Sequence, residues 1–171
     1  MRKIFLLLIL CGGLFLEGCK NEDPICTKEV PADRLAAVDQ VQLTVDLGKI
    51  DVYLSSKNLI AQAEPNGTRY IITKQGTGAV PPCLESIVTV KYNLKLLGSG
   101  TTIEESASAT FRLSGGLILG WQLVLPLIPA GSIVKLYVPS GYAYGSRVSG
   151  NNGSIPANAN LVFEIELLGV R

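Results

Sequence analysis

The side chains able to do chemistry here are four cysteines, a lone tryptophan and a closely spaced tyrosine pair, and histidine is absent from all 171 residues. Ser-His-Asp and Cys-His pairs need an imidazole to carry a proton near neutral pH, and His-ligated zinc needs its nitrogen, so those classes are excluded. The cysteines, Cys11, Cys19, Cys26 and Cys83, show neither C-x-x-C nor zinc-knuckle spacing, and no metal or cofactor is expected. Gly76-Thr77-Gly78 has the look of a phosphate turn, but Pro81-Pro82 follows where a helix N-terminus would have to open. A net charge of +1 without a block of like charge leaves no basic footprint for nucleic acid. Small or apolar ligands, or polypeptide, suit that balance. By residue type alone, Tyr92, Trp121 and Phe163 read as core filling, since aromatics bury large areas in any fold.

Their order in the chain adds a second meaning. Gly120-Trp121 opens a short apolar helix-like run, and Pro129-Ala130-Gly131 turns into an alternating strand from Ile133 to Val138. Tyr142-Ala143-Tyr144-Gly145 follows, then a Gly/Asn loop ending at Ile155-Pro156, then a strand alternating Leu161, Phe163 and Ile165 with Val162, Glu164 and Glu166. The series G-W, Y-A-Y-G, I-P and L-x-F-x-x-E-L resembles the second half of an FKBP-type peptidyl-prolyl cis/trans isomerase domain, over roughly the last hundred residues.

The resemblance implies an α+β fold, an FKBP-like antiparallel β-sheet wrapped around one short helix and preceded by an N-terminal helix. It implies an isomerase acting on proline-containing polypeptides, assisting the folding of exported proteins. A non-catalytic chaperone or peptide-binding module on the same fold is the alternative. The implied catalytic pocket has Trp121 as its floor, with Tyr92, Glu104, Tyr144 and Phe163 around it. Ile103, Leu117, Ile118 and Ile155 are the implied substrate contacts. Two positions depart from the family pattern: its Phe-Asp pair falls on Ile103-Glu104, and another pocket phenylalanine falls near Ala109. These departures predict a wider, less aromatic pocket that works more slowly and holds FK506-like macrolides weakly.

The elements that must position this pocket are legible from periodicity. Residues 86–97 alternate Val88, Val90, Tyr92, Leu94 and Leu96 with polar residues, a strand with one wet face. Strands are also predicted over 68–74, 101–105 and 109–113. Leu43, Leu47, Ile50 and Leu54 recur at helical steps and predict a packing helix within 34–58. The expected organisation is a lipoprotein signal at 1–18, a tether at 19–33, a helical segment at 34–66 and the isomerase domain at 67–171.

Met1-Arg2-Lys3 followed by an apolar run reads as a secretory signal, too short for a membrane span. Leu16-Glu17-Gly18-Cys19 resembles a bacterial lipobox, which implies acylation of Cys19; an ordinary secretory signal explains the same run. Acyl chains at about 0.8 kcal/mol per buried methylene would anchor the protein to a membrane of the bacterial cell envelope, on the periplasmic or surface face of the outer membrane. In such a compartment Cys26 and Cys83 read as a disulfide, with two separate buried thiols as the other reading.

Overall fold

The computed structural model describes residues 26–171. The signal, Cys11, Cys19 and the first part of the tether lie outside the described residues.

The strands are β1 (Gln62–Ala63), β2 (Arg69–Lys74), β3 (Ile87–Leu96), β4 (Thr102–Arg112), β5 (Ile133–Val138) and β6 (Leu161–Val170), with apolar alternation clearest in β3, β5 and β6. They pair antiparallel throughout, in the order β1-β2-β5-β6-β3-β4. Val88, Val90 and Leu94 of β3, Val134, Leu136 and Val138 of β5, and Leu161, Ile165 and Leu167 of β6 face one core and are fully buried. The helix against that face is short: α3, Leu119–Val124, continued by a 3-10 turn over Leu125–Leu127. It approaches β5 closely at Gly120, where a Cβ would stand 2.7 Å from Val138 Cγ1. Gly76 and Gly78 are explained the same way, because a Cβ on Gly76 would lie 2.2 Å from the Ala130 carbonyl oxygen. The α+β architecture expected from the sequence is the one observed.

The strands expected at 101–105 and 109–113 are one continuous strand. β4 is one edge of the sheet, and its register against β3 slips between Val90 and Tyr92 and again between Leu94 and Lys95. Each slip inserts one extra residue on the β4 side. Such bulges keep an edge strand paired while re-aiming its side chains.

The N-terminal helices are α1 (Ala32–Ala36) and α2 (Gln40–Ser56). Asp39 caps α2 by accepting from the Val41 and Gln42 amides at 2.9 and 3.0 Å. Its end is a Schellman turn: Asn58 takes a positive φ of 53°, while Leu59 N–H reaches the Leu54 carbonyl at 2.9 Å. Leu43, Ile50 and Leu54 are buried as the periodicity predicts, and Leu47 is half-buried. Ile50 and Leu54 pack with Tyr137 on the outer face of the sheet. Cys26 and Cys83 are bonded, with Cα atoms 5.2 Å apart and a sequence separation of 57, which ties the N-terminal segment to the turn before β3.

Candidate functional site

A cavity of about 180 Å³ opens between the inner face of the sheet and α3. β3 supplies Tyr92 and Leu94, β4 supplies Glu104 and Phe111, and β6 supplies Phe163. Gly116, Leu117 and Ile118 form the edge before α3, which contributes Trp121, and Tyr144 comes from the loop after β5.

Trp121 is the floor. It is 3% exposed, and three rings stand nearly perpendicular to it: Tyr92 at 5.4 Å, Phe163 at 5.4 Å and Phe111 at 5.8 Å between centroids. Edge-to-face geometry of this kind adds about 0.5–1.5 kcal/mol per pair beyond burial and fixes the ring orientations. The indole Nε1 is buried and has no hydrogen-bond partner among the described residues. An orphaned donor costs about 1–3 kcal/mol, which a phenylalanine or leucine filling the same volume would avoid. The indole is thus a costlier floor than an apolar ring of the same volume.

One wall is polar. The Tyr92 hydroxyl donates to Glu104 Oε1. Burial, then that hydrogen bond and the charge of Glu104, push the Tyr92 phenol up to about 12. Tyr144 is raised as well, first by burial and then by Glu104. Both phenols therefore stay protonated and remain hydrogen-bond donors at neutral pH. Among the described residues the Tyr144 hydroxyl has no partner, and neither does the N–H of Ile118, the N-cap of α3. Two free donors thus belong to residues on the wall of an aromatic cup. The site holds no arrangement for nucleophilic attack, and among the described residues no cluster of metal-ligating side chains occurs.

Seven of the residues singled out by sequence meet here: Tyr92, Glu104, Leu117, Ile118, Trp121, Tyr144 and Phe163. Two do not. Ile155 is 1% exposed in the core, its backbone bonded both ways to Ser149 at 2.9 Å. Ile103 sits at the second bulge of β4, packed against the core edge and off the cavity wall. Ala109 faces Val90, and the aromatic expected near it is supplied by Phe111 two residues on, the same face of an alternating strand. The pocket is accordingly more aromatic than Ile103 and Ala109 suggested. Period-2 spacing within Ala109-Thr110-Phe111-Arg112-Leu113 was the signal that could have found Phe111.

Sequence reasoning also missed the residues that hold the walls. Gln122, fully buried, donates from Nε2 to the Leu117 carbonyl at 2.7 Å and accepts from Arg34 Nη1 at 2.8 Å. The two tyrosines of the Y-A-Y-G run divide their work. Tyr142 is buried and donates to the Asn66 carbonyl at 2.6 Å, leaving Tyr144 for the cavity. A larger groove of about 660 Å³ lies along the outer face, but charged residues of both signs line it, including Lys91, Lys95, Glu164 and Glu166. Its solvated cross-strand charges offer no convergent apolar wall.

An antiparallel sheet closed by one short helix over an aromatic cup defines a small α+β domain whose cavity offers shape and hydrogen-bond donors, with no nucleophile or metal cluster among the described residues. The sequence pattern of the FKBP-type peptidyl-prolyl cis-trans isomerase family matches residues 79–168, and the chain belongs to that family. It is 42% identical over 109 residues to the FKBP-type peptidyl-prolyl cis-trans isomerase FkpA of Aeromonas hydrophila, covering 61% of this chain and 38% of that one. It is 40% identical to outer membrane protein MIP of Legionella longbeachae, over 63% of this chain and 46% of the other. Against FK506-binding protein 1 of Dictyostelium discoideum it is 36% identical over 60% of this chain and 96% of that protein. The crystal structure of FkpA from Escherichia coli superposes with a TM-score of 0.62 at 30% identity, over 77% of this chain and 62% of that one. The chain thus spans half or less of the length of the longer bacterial relatives it matches.

Proposed function

We propose that this chain is a peptidyl-prolyl cis/trans isomerase that binds a prolyl residue over Trp121 and lowers the barrier to rotation of the preceding amide. Resonance sets that barrier at about 18–20 kcal/mol, and no bond has to break to cross it. A chain without histidine or a metal cluster among its described residues is suited to such a reaction. The observation that carries the reading is the indole floor with its ring of perpendicular aromatics beside two unpaired donors. The twisted amide has lost resonance and polarity, so an apolar cup holds it better than the planar form. Tyr144 Oη and the Ile118 N–H fix the flanking carbonyls, and Glu104 orients Tyr92 by hydrogen bonding with no proton transfer. A volume of about 180 Å³ suits one prolyl side chain. Drug-sized ligands occupy pockets of about 300–1,000 Å³, so FK506-like macrolides bind weakly.

The same proposal extends to placement. Cys19 is acylated and anchors the protein to the bacterial envelope, a reading supported by the apolar signal before it and by the Legionella relative's being an outer membrane protein. Its clients are exported polypeptides whose X-Pro bonds isomerise slowly enough to limit folding. Incorporation of a fatty-acid analogue into wild type and not into Cys19→Ser tests the anchor.

Because Trp121 is the sole tryptophan, its fluorescence reports the cavity directly. Titration with an X-Pro tetrapeptide should change the emission saturably, while the matching X-Ala peptide should not. An unresponsive tryptophan in folded protein would remove the site assignment. Binding without rate enhancement would make the chain a non-catalytic peptide-binding chaperone.

A further inference from the structure

We propose that Asp46, on the N-terminal helix α2, is a positioning residue for Tyr144, so that this helix is a working part of the isomerase site. The inference rests on the isomerase reading above.

Asp46 interrupts an apolar seam. Leu43, Ile50 and Leu54 bury their side chains between α2 and the domain, and among them Asp46 is fully inaccessible. A carboxylate is costly to bury and a leucine there would dock the helix without that cost, so docking alone does not explain it. Its partners do. Asp46 Oδ2 accepts from the Ser140 N–H at 2.9 Å and from the Ser140 hydroxyl, while Oδ1 accepts from Gln42 Nε2 at 2.8 Å. Lys49 Nζ stands 3.9 Å from Oδ1. Asn160 Oδ1 shares the Ser140 N–H at 3.1 Å.

Ser140 is where the loop to the cavity begins. Its carbonyl accepts from Ala143 N at 2.9 Å and from Gly145 N at 2.8 Å, the residues on either side of Tyr144. Asp46 is therefore two hydrogen bonds from the backbone that carries the Tyr144 ring. The N-terminal segment also rests on this turn, since a Cβ on Gly141 would come within 2.5 Å of Val38 Cγ1. A donor that must meet a rotating carbonyl loses its effect with displacements on the order of 1 Å, so the residue fixing this turn governs the hydroxyl.

A double-mutant cycle on the full chain tests this, with kcat and KM measured on an X-Pro tetrapeptide for wild type, Asp46→Asn, Tyr144→Phe and the double variant. Asp46→Asn should lower kcat/KM about five-fold, mainly in kcat. In the Tyr144→Phe background the same change should cost less than about two-fold, because the hydroxyl it positions is gone. A loss merely from weaker folding would be equal in both backgrounds, and that additivity would overturn the proposal. So would full activity in folded Asp46→Asn. If Asp46→Asn does not fold, Ser140→Ala, which removes one of the two bonds, takes its place in the same cycle with the same criteria. An inactive wild type would overturn the isomerase reading and this one with it, whereas additivity in an active enzyme overturns this one alone.

Discussion

Tyr92 and Glu104 are hydrogen-bonded across the β3–β4 pairing although neither is the other's register partner: Tyr92 lies opposite Ser106 and Glu104 opposite Leu94. The bulges of β4 flank this contact and let an edge strand deliver a carboxylate to the cavity wall. Burial first, and then the charge of Glu104, raises both Tyr92 and Tyr144 and keeps each phenol in its protonated, donating form.

A pH dependence follows from the phenols. Tyr70, Tyr92 and Tyr137 are each raised from 10.0 to about 12, burial being the largest cause in every case. Between those values the unfolded chain has released protons that the folded chain still holds, so stability is lost as pH rises through this window. Urea midpoints should be flat from about pH 7 to 9 and fall between about 10 and 12. A midpoint that stays constant to the top of that window would contradict the assignment.

Conservative changes should separate catalysis from packing. Tyr144→Phe keeps the ring and deletes one free hydroxyl, a bond worth about 0.5–1.5 kcal/mol, so kcat/KM should drop several-fold while the melting temperature barely moves. Trp121→Ala opens a buried aromatic site and should cost roughly 3–5 kcal/mol of stability along with activity. Thermal melts beside kinetics decide between the two patterns.

The position of Phe111 reverses an expectation drawn from the family pattern. Phe111→Leu should lower kcat/KM by removing an edge-on contact with Trp121, as steady-state assays would show. Ile103→Phe should give no gain, because residue 103 is off the cavity wall. A marked gain from Ile103→Phe would mean that Ile103 reaches the substrate after all.

The bond between Cys26 and Cys83 closes a loop of 57 residues. In the chain-entropy account such a loop contributes roughly 4 kcal/mol, so the double Cys→Ser variant should melt well below wild type. Alkylation of the unreduced, mature protein should label neither residue; labelling of both would show that the pair is open.

Much of this was legible from spacing. Alternation placed β3, β5 and β6, whose inner faces are apolar, and helical steps placed α2. The short helix opening at Gly120-Trp121 was legible in the apolar run there, and the family pattern agreed with it. What was not legible arises from register and from polar contacts distant in sequence. The first bulge of β4 leaves no local signature in the small residues 106–109, so 101–105 and 109–113 read as separate strands, while Ile103 was placed in the pocket by the family pattern, which does not show the second bulge. Nothing near Asp46 in the sequence marks it for burial, because its reason for burial, Ser140, is 94 positions away. Arg34 and Gln122 are 88 apart and hidden for the same reason.

The central claim is that the cup over Trp121 accelerates rotation about X-Pro bonds. The direct measurement is the cis-to-trans rate of X-Pro tetrapeptides in a protease-coupled assay with folded, full-length protein. The account predicts a rate that rises linearly with enzyme concentration and falls several-fold with Tyr144→Phe. A rate no higher than the uncatalysed one on every X-Pro peptide tried would contradict it.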